Sequence, residues 1–149
     1  MEHHMLPIIK GYSPKLNLLE TEIAIKEVKD YFEAALSGAL KLTRVSAPIF
    51  VKGGTGINDN LNGVERPVSF DAKNVPDCTI EVVQSLAKWK RMALGRYKFK
   101  PGRGLYTDMN AIRRDEEPDF LHSLYVDQWD WEKIITKEER TEETLKKVV

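Results

Sequence analysis

The stretch "LHSLYVDQWDWE", residues 121–132, places Asp127, Gln128 and Asp130 among large apolar side chains. Successive side chains of a strand point to opposite faces, so Gln128 and Asp130 share one face while Trp129 and Trp131 share the other. The polar face is either the solvated side of an edge strand or a surface that holds a ligand. The pattern alone leaves both interpretations open.

The composition describes an ordinary globular domain of 149 residues, with 42% hydrophobic and 31% charged residues. Lys plus Arg equals Asp plus Glu at 23 each, so no net charge favours nucleic acid or an anionic membrane. The local basic run 88–103 indicates a solvated helix end and loop, or an anion site, more than a nucleic-acid surface. We therefore expect no nucleic-acid partner and no membrane partner.

Cysteine and histidine usage restricts the chemistry further. The single Cys78 excludes a disulfide framework and fits a reducing compartment. No apolar run reaches membrane-spanning length, and the start of the chain lacks the apolar core of a signal peptide, so we expect a cytoplasmic location. Adjacent His3 and His4, with His122 as the remaining histidine, make a histidine-based zinc site an unfavoured interpretation.

The first part of the chain predicts a helix, a strand and a loop. Residues 17–38 have helical spacing of apolar residues, a capping box at Asn17 and Glu20, and Gly38 placed to end the helix. Residues 40–51 alternate like a half-buried strand until Pro48 interrupts the pattern. The glycine- and asparagine-rich residues 52–63 predict a loop.

The remainder predicts strands with two further helices. We expect two strands around a turn at 74–77, a helix at 85–94 closed by Gly95, a strand within 100–117, a long strand at 120–135 and a helix within 136–149. This order predicts an α+β fold, with one mostly antiparallel sheet flanked by helices and its polar positions gathered at one end. We expect residues 1–149 to form a single, partial domain, in which residues 1–16 are a loosely ordered N-terminal segment.

Two charged residues after a predicted strand suit a nucleotide. Arg113 can hold a phosphate through two parallel hydrogen bonds, and Glu116 can accept a hydrogen bond from an exocyclic amine such as that of adenine. Both belong to the charged connector "RRDEE", and such a charge run is more often a solvated surface loop.

A second group suits a small zwitterion. Gln128 and Asp130 offer an amide and a carboxylate to an ammonium group, Asp59 offers a loop carboxylate, and Lys90 offers a cation to the zwitterion's own carboxylate. The alternatives are a turn residue at Asp59 and a solubilising lysine at position 90. Taken together, these residues predict a site for an amino acid beside an activated phosphate.

Four stretches carry a family resemblance: "INDNLNG" (57–63), "EVVQSLAKWKR" (81–91), "GLYTDMNAIRRDEE" (104–117) and "LHSLYVDQWDWE" (121–132). Together they resemble asparagine synthetase A, the ammonia-dependent aspartate–ammonia ligase. The resemblance implies a catalytic domain like that of class II aminoacyl-tRNA synthetases. It also implies synthesis of asparagine from aspartate, ammonia and ATP with Mg²⁺, through a β-aspartyl-adenylate, with release of AMP and pyrophosphate.

The resemblance assigns the nucleotide residues and a dimer interface. The helix 18–36 and the strand ending at Pro48 resemble class II motif one, which implies a homodimer through residues 18–48. "AIRRDEE" resembles motif two, which implies that Arg113 binds the α-phosphate of ATP and that Glu116 faces the adenine.

The resemblance also assigns the aspartate-binding residues, which are Asp59, Ser85, Lys90, Gln128 and Asp130. Lys90 is implied as the partner of the α-carboxylate. Asp59, Arg113 and Gln128 form the implied catalytic set, no metal ligand is expected in this chain, and Trp129 and Trp131 become the buried back of a substrate-binding strand.

Two features depart from the family pattern. Gln84 stands where family members usually carry a histidine, and an amide does not titrate near neutrality. Family members also continue beyond "TLKKVV" for a comparable length that carries motif three and magnesium-binding acidic residues. We therefore expect an N-terminal half of the ligase, incomplete at its C-terminus, inactive by itself and self-associating through motif one or a bare sheet edge. The alternatives are an inactive half-domain that binds an amino acid or a protein partner, and a dimerisation fragment.

Overall fold

The computed structural model describes residues 9–59 and 61–149, so His3 and His4 lie outside the described residues. No helix in the described ranges has the length and apolar character needed to cross a membrane. The elements, in chain order, are α1 (Leu18–Leu40), β1 (Leu42–Arg44), β2 (Phe50–Lys52), β3 (Ser69–Ala72), β4 (Val75–Val82), α2 (Ala87–Arg96), β5 (Gly104–Ile112), β6 (Tyr125–Lys133) and α3 (Glu142–Val148).

The first helix begins as predicted and ends later than predicted. The Asn17 side chain accepts from the Glu20 amide at 2.9 Å, and the Glu20 carboxylate accepts from the Asn17 amide at 2.9 Å, which confirms the capping box. The predicted end at Gly38 is wrong. The helix continues to Leu40 and stops where Lys41 takes a left-handed φ of 57° and caps the carbonyls of residues 37 and 38. The two additional residues allow Leu40 to be buried against the sheet.

The prediction of an α+β fold is confirmed, but the prediction of one sheet is wrong. One three-stranded sheet has the order β1-β5-β6 and the other has the order β2-β4-β3. The β1–β5 pair is parallel, and the other three pairs are antiparallel. The single strand predicted at residues 40–51 is instead two short strands, β1 in the first sheet and β2 in the second. The connection contains Pro48, which has no N–H to donate to a ladder, so the chain leaves the first sheet after Arg44 and enters the second at Phe50.

Two further boundaries differ from prediction in the middle of the chain. The hairpin turn lies at residues 73–74 instead of 74–77, which places Pro76 within β4. Pro76 is tolerated there because the pairing of β2 with β4 reaches only Ile80. Gly95 lies inside α2, which ends at Arg96 instead of before the glycine.

The last two elements are shorter than predicted. β6 begins at Tyr125 because Asp119 accepts hydrogen bonds from the amides of Leu121 and His122, both at 2.7 Å, and so folds the preceding residues into a turn. α3 begins only after Thr141, whose hydroxyl accepts from the Thr144 amide at 3.2 Å. These local hydrogen bonds therefore keep residues 120–124 out of β6 and residues 136–141 out of α3, despite the strand and helix propensities of the two segments.

The first sheet buries apolar side chains on both faces. On one face, α2 and β5 share a core of buried residues: Val83, Leu86, Trp89, Ala93, Leu94, Leu105, Met109 and Ala111. On the other face, half-buried Trp129 and Trp131 pack with Tyr106 and the end of α1, and Trp129 stacks on Phe32 with ring centroids 5.7 Å apart. Each well-buried large side chain contributes about 1.5–3 kcal/mol to folding. The tryptophans therefore hold α1 against β6, and the alternate residues of β6 face α2.

Candidate functional site

Arg113 and Glu116 are brought together by a tight turn at the end of β5. The Arg113 amide donates to the Leu124 carbonyl at 2.7 Å, and the Glu116 amide donates to the Arg113 carbonyl at 3.1 Å. Both side chains line a cavity of about 220 Å³, whose other lining residues are Leu61, Asn62, Glu65, Gln84, Arg114 and Asp115. The turn thus places Arg113, the predicted phosphate-binding residue, and Glu116, the predicted adenine-binding residue, at the same cavity.

The Arg113 side chain has unused hydrogen-bonding capacity. Its Nε is buried and has no hydrogen-bond partner in the described structure. A buried donor without a partner costs free energy, and an anionic oxygen at this position would satisfy it. The environment of Arg113 therefore suits a phosphate or carboxylate ligand.

A second cavity, of about 470 Å³, adjoins the first because Arg113 and Glu116 line both. Its lining adds Gln128, together with Leu121, His122, Ser123, Tyr125, Val126 and Asp127. The structure thus brings together three of the sequence-predicted residues, Arg113, Glu116 and Gln128.

The orientation of β6 agrees with the alternation expected from its sequence. Gln128 lies opposite Met109 in the ladder, with its Nε2 3.5 Å from the Met109 sulfur. Asp130 lies opposite Thr107, and its carboxylate contacts Lys90 on α2. Gln128 and Asp130 therefore share the face of the sheet that α2 covers.

Lys90 and Asp130 form an ion pair that neutralises both residues. Lys90 is 5% exposed. Its Nζ contacts the Asp130 carboxylate, donates to the Trp131 carbonyl at 2.9 Å and lies 3.5 Å from the Glu132 carboxylate. Neither Lys90 nor Asp130 lines the two cavities around Arg113. Lys90 is the predicted partner of the substrate's carboxylate, and Asp130 is a predicted partner of its ammonium group. In this structure these two residues bind each other.

The remaining predicted residues lie in two segments, Asp59 in the glycine-rich loop after β2 and Ser85 just before α2. Half-buried Asp59 has its Oδ1 3.5 Å from the Lys88 Nζ. The Ser85 hydroxyl accepts from the Ala87 amide at 3.2 Å, at the start of α2. Gln84, the neighbour of Ser85 in sequence, is 1% exposed and lines the 220 Å³ cavity with Arg113 and Glu116. Position 84, where the resemblance implies a histidine, therefore lies within the site.

Sequence reasoning missed a histidine at the second cavity. The His122 ring lies 3.0 Å from the Asp119 carboxylate, which raises the pKa of His122 and is the main cause that lowers the pKa of Asp119 to about 2. The spacing of three residues between the two was the signal available in the sequence. This pair stabilises the turn that precedes β6.

Sequence reasoning also missed an ion pair that holds the connector after β5. Asp115 accepts from the Arg66 amide at 2.8 Å, from its Nε at 3.1 Å and from its Nη2 at 2.5 Å. These contacts with Arg66 lower the pKa of Asp115 to about 2. No local sequence signal identifies a pair that is 49 residues apart.

The residues 9–59 and 61–149 contain no group of three or more His, Cys, Asp and Glu side chains arranged to hold a metal ion. The two cavities around Arg113 are lined by two arginines, three side-chain amides and four carboxylates. This mixture of charges suits a ligand that carries both anionic and cationic groups.

Comparison with known proteins adds a family to this geometry. The sequence model of the family described as aspartate-ammonia ligase matches residues 19–149. The chain belongs to the aspartate-ammonia ligase family. It is 69% identical over 140 residues to a protein named aspartate–ammonia ligase from Ruminiclostridium cellulolyticum, covering 94% of this chain and 42% of that protein.

Other named aspartate–ammonia ligases have similar relationships to the chain. The Clostridium perfringens protein is 66% identical over 149 residues, which is 100% of this chain and 44% of that protein. The Bacteroides thetaiotaomicron protein is 59% identical over 140 residues, or 94% of this chain and 41% of that protein. The chain therefore spans less than half the length of these relatives. The predicted family membership is confirmed.

Proposed function

We propose that the chain forms the part of a cytoplasmic aspartate–ammonia ligase that binds ATP and aspartate, within a catalytic domain like that of class II aminoacyl-tRNA synthetases. The reaction makes asparagine from aspartate, ammonia and ATP through a β-aspartyl-adenylate, with release of AMP and pyrophosphate. The observation that carries the proposal is the shared cavity lined by Arg113, Glu116 and Gln128. In this cavity Arg113 can bind a phosphate, Glu116 can accept a hydrogen bond from adenine, and the amide of Gln128 can bind a carbonyl group.

In the first step, an oxygen of the aspartate β-carboxylate attacks the α-phosphorus of ATP, and the bond from that phosphorus to pyrophosphate breaks. Negative charge develops on the phosphoryl oxygens. Arg113 stabilises this charge, using the Nε that is otherwise buried without a partner. Glu116, three residues further along the same turn, accepts from the adenine amine.

In the second step, ammonia attacks the β-acyl carbon, and the bond from that carbon to AMP breaks. The Gln128 amide, on the strand face that α2 covers, orients the acyl carbonyl. The carboxylate of Asp59 holds the incoming nitrogen and receives its proton.

Aspartate binds by separating an existing ion pair. Its α-carboxylate goes to the Lys90 ammonium, and its α-ammonium goes to the Asp130 carboxylate, with Ser85 and Asp59 completing the contacts. Each charged side chain then exchanges one ionic partner for another, so that neither charge is left unpaired in a site where Lys90 is 5% exposed.

The described part of the chain offers no group of three or more His, Cys, Asp and Glu side chains to hold Mg²⁺, and the family resemblance implies magnesium ligands outside the matched residues. Because the chain spans only 42–44% of the length of its relatives, we propose that the 149-residue polypeptide binds ligands without turning over.

The exposed apolar side of α1 supports the proposed homodimer. Leu18, Ile25 and Val28, spaced seven and three residues apart on one side of the helix, are 90%, 47% and 65% exposed. A helix side this apolar is typical of a surface that packs against a partner. We propose that residues 18–48 form the dimer interface.

Calorimetric titration of the chain with aspartate, and then with ATP and Mg²⁺, tests the proposed function. We expect both ligands to bind, and Gln128→Ala to weaken aspartate binding by at least tenfold, since Gln128 is exposed and removing its amide leaves the fold intact. Lys90→Ala is expected to abolish aspartate binding. Lys100→Ala, at an exposed position outside the site, is the matched control. Absence of binding of either ligand to the unaltered chain would reject the proposal for this polypeptide and favour a dimerisation role.

A further inference from the structure

One amide side chain outside the assigned site joins three parts of the chain. The Asn58 Oδ1 accepts from the backbone N–H of Gln84 at 2.8 Å. The Asn58 Nδ2 donates to the Glu81 carboxylate at 3.1 Å and to the Val82 carbonyl at 3.1 Å. The glycine-rich loop 52–63 is thereby attached to the end of β4 and to the residues that lead into α2.

Two residues of the proposed aspartate site are the sequence neighbours of this connection. Asp59 follows Asn58, and Ser85 follows Gln84. The hydrogen bond from Gln84 to Asn58 therefore controls the distance between the backbone positions of Asp59 and Ser85. A glycine-rich loop has many accessible conformations when it is unattached, and these hydrogen bonds select one of them.

The surroundings of Glu81 are shaped to receive the Asn58 amide. A Cβ at Gly53 would lie 2.8 Å from the Glu81 Oε1 and 3.0 Å from the Thr79 carbonyl. Glycine at position 53 thus lets the Glu81 carboxylate lie against the loop, where its Oε2 accepts from Asn58. A larger residue at this position would displace the carboxylate or the loop.

The residue type at position 58 follows from its partners. The side chain at position 58 must accept from the backbone N–H of Gln84 and donate to the Glu81 carboxylate. Asparagine carries both an acceptor and a donor on a short side chain. Aspartate at this position would keep the acceptor, lose the donor and place two carboxylates together.

We propose that Asn58 is a positioning residue that sets the spacing of Asp59 and Ser85 for binding of the substrate amino acid. The proposal rests on the proposed function. Arg113 and Glu116 are held by a different element, the turn after β5. Gln84 and the loop residues Leu61 and Asn62 line the cavity beside Arg113 and Glu116, but they do not hold these two residues in place. The effect of Asn58 is therefore larger on aspartate binding than on ATP binding.

The variant N58D in the 149-residue chain tests the proposal by calorimetry. We expect aspartate affinity to fall at least tenfold and ATP affinity to stay within threefold. The double variant N58D/E81Q should recover part of the lost aspartate affinity, because the amide introduced by E81Q donates to the carboxylate introduced by N58D, while the Val82 carbonyl still lacks its donor. N74D, in the turn between β3 and β4, is the matched control, and E81Q alone completes the double-mutant cycle.

Two results would overturn the proposal. One is aspartate affinity that N58D leaves unchanged. The other is an equal loss of aspartate and ATP affinity that E81Q does not restore, which is the behaviour of a general folding defect.

Amide hydrogen exchange measures the same connection without a ligand. N58A should speed hydrogen exchange of the Gln84 backbone N–H at least tenfold relative to that of Lys90. The Lys90 backbone N–H is the reference because it donates to the Leu86 carbonyl at 2.8 Å, at the start of α2. Unchanged exchange at Gln84 would overturn the proposal. If the unaltered chain bound neither aspartate nor ATP, the proposed function would fail, while this measurement would still decide whether Asn58 holds the loop.

Discussion

The Lys90 ammonium pairs with the Asp130 carboxylate and donates to the Trp131 carbonyl at 2.9 Å, so that α2 is tied to β6 through one side chain. The side chain of Lys90 is 6% exposed and that of Asp130 is 20% exposed. The pair therefore contributes to folding as well as to the proposed binding of aspartate, and the two contributions are separable by substitution.

Asp130→Asn should lower the free energy of unfolding by about 2–4 kcal/mol, because it leaves a buried ammonium with weaker partners. Lys90→Met should cost less, because it leaves a carboxylate that is closer to solvent. Urea denaturation measures both. Asp30→Asn, in the exposed pair with Lys26 on α1, is the control and should cost less than about 0.5 kcal/mol. Equal costs at positions 30 and 130 would show that the Lys90–Asp130 pair is effectively solvated.

Arg113→Ala in a catalytically active form should lower kcat/KM by more than tenfold, which corresponds to at least ~1.4 kcal/mol of transition-state stabilisation. Arg113→Lys should recover part of this loss, because it keeps the charge but not the second hydrogen bond. Arg96→Ala, at the exposed end of α2, should leave kcat/KM unchanged. A loss below tenfold for Arg113→Ala would argue against charge stabilisation by this residue.

Hydrogen bonds from Arg66 lower the pKa of Asp115 to about 2, below its ordinary value of 3.8. A carboxyl whose pKa is lowered by folding stabilises the protein above its unfolded pKa, and this contribution is lost as the pH falls from about 4 towards 2. Arg66→Gln should therefore return the Asp115 pKa towards its ordinary value and flatten the stability profile over that range. Carboxyl NMR titration measures the pKa directly, and an unchanged value in Arg66→Gln would contradict the assignment.

Val28→Glu should weaken self-association, because it places a charge in the exposed apolar side of α1, where Val28 is 65% exposed. Sedimentation velocity across a concentration series should show a dimer for the unaltered chain and a monomer for the variant. Glu27→Gln, at the neighbouring exposed position, is the control. A monomer at all concentrations for the unaltered chain would count against the interface at residues 18–48.

Local features of the fold were predictable because they depend on neighbouring residues. The capping box at Asn17 and Glu20 and the alternation along β6 are determined within a few residues of sequence. The end of α1, by contrast, depends on the burial of Leu40 against strands distant in sequence, and a glycine at position 38 was a misleading local signal. The division of residues 40–51 between two sheets likewise depends on which strands are available to pair.

The sequence by itself determined the α+β class, the family and the residue types that suit a nucleotide and an amino acid, because motifs and alternation are properties of order along the chain. Tertiary structure alone decided that Lys90 pairs with Asp130, that Arg66 holds Asp115 and that Asn58 binds Gln84. These partners are separated by 40, 49 and 26 residues. Such contacts depend on how the sheets and α2 pack, and packing is set by the whole core at once.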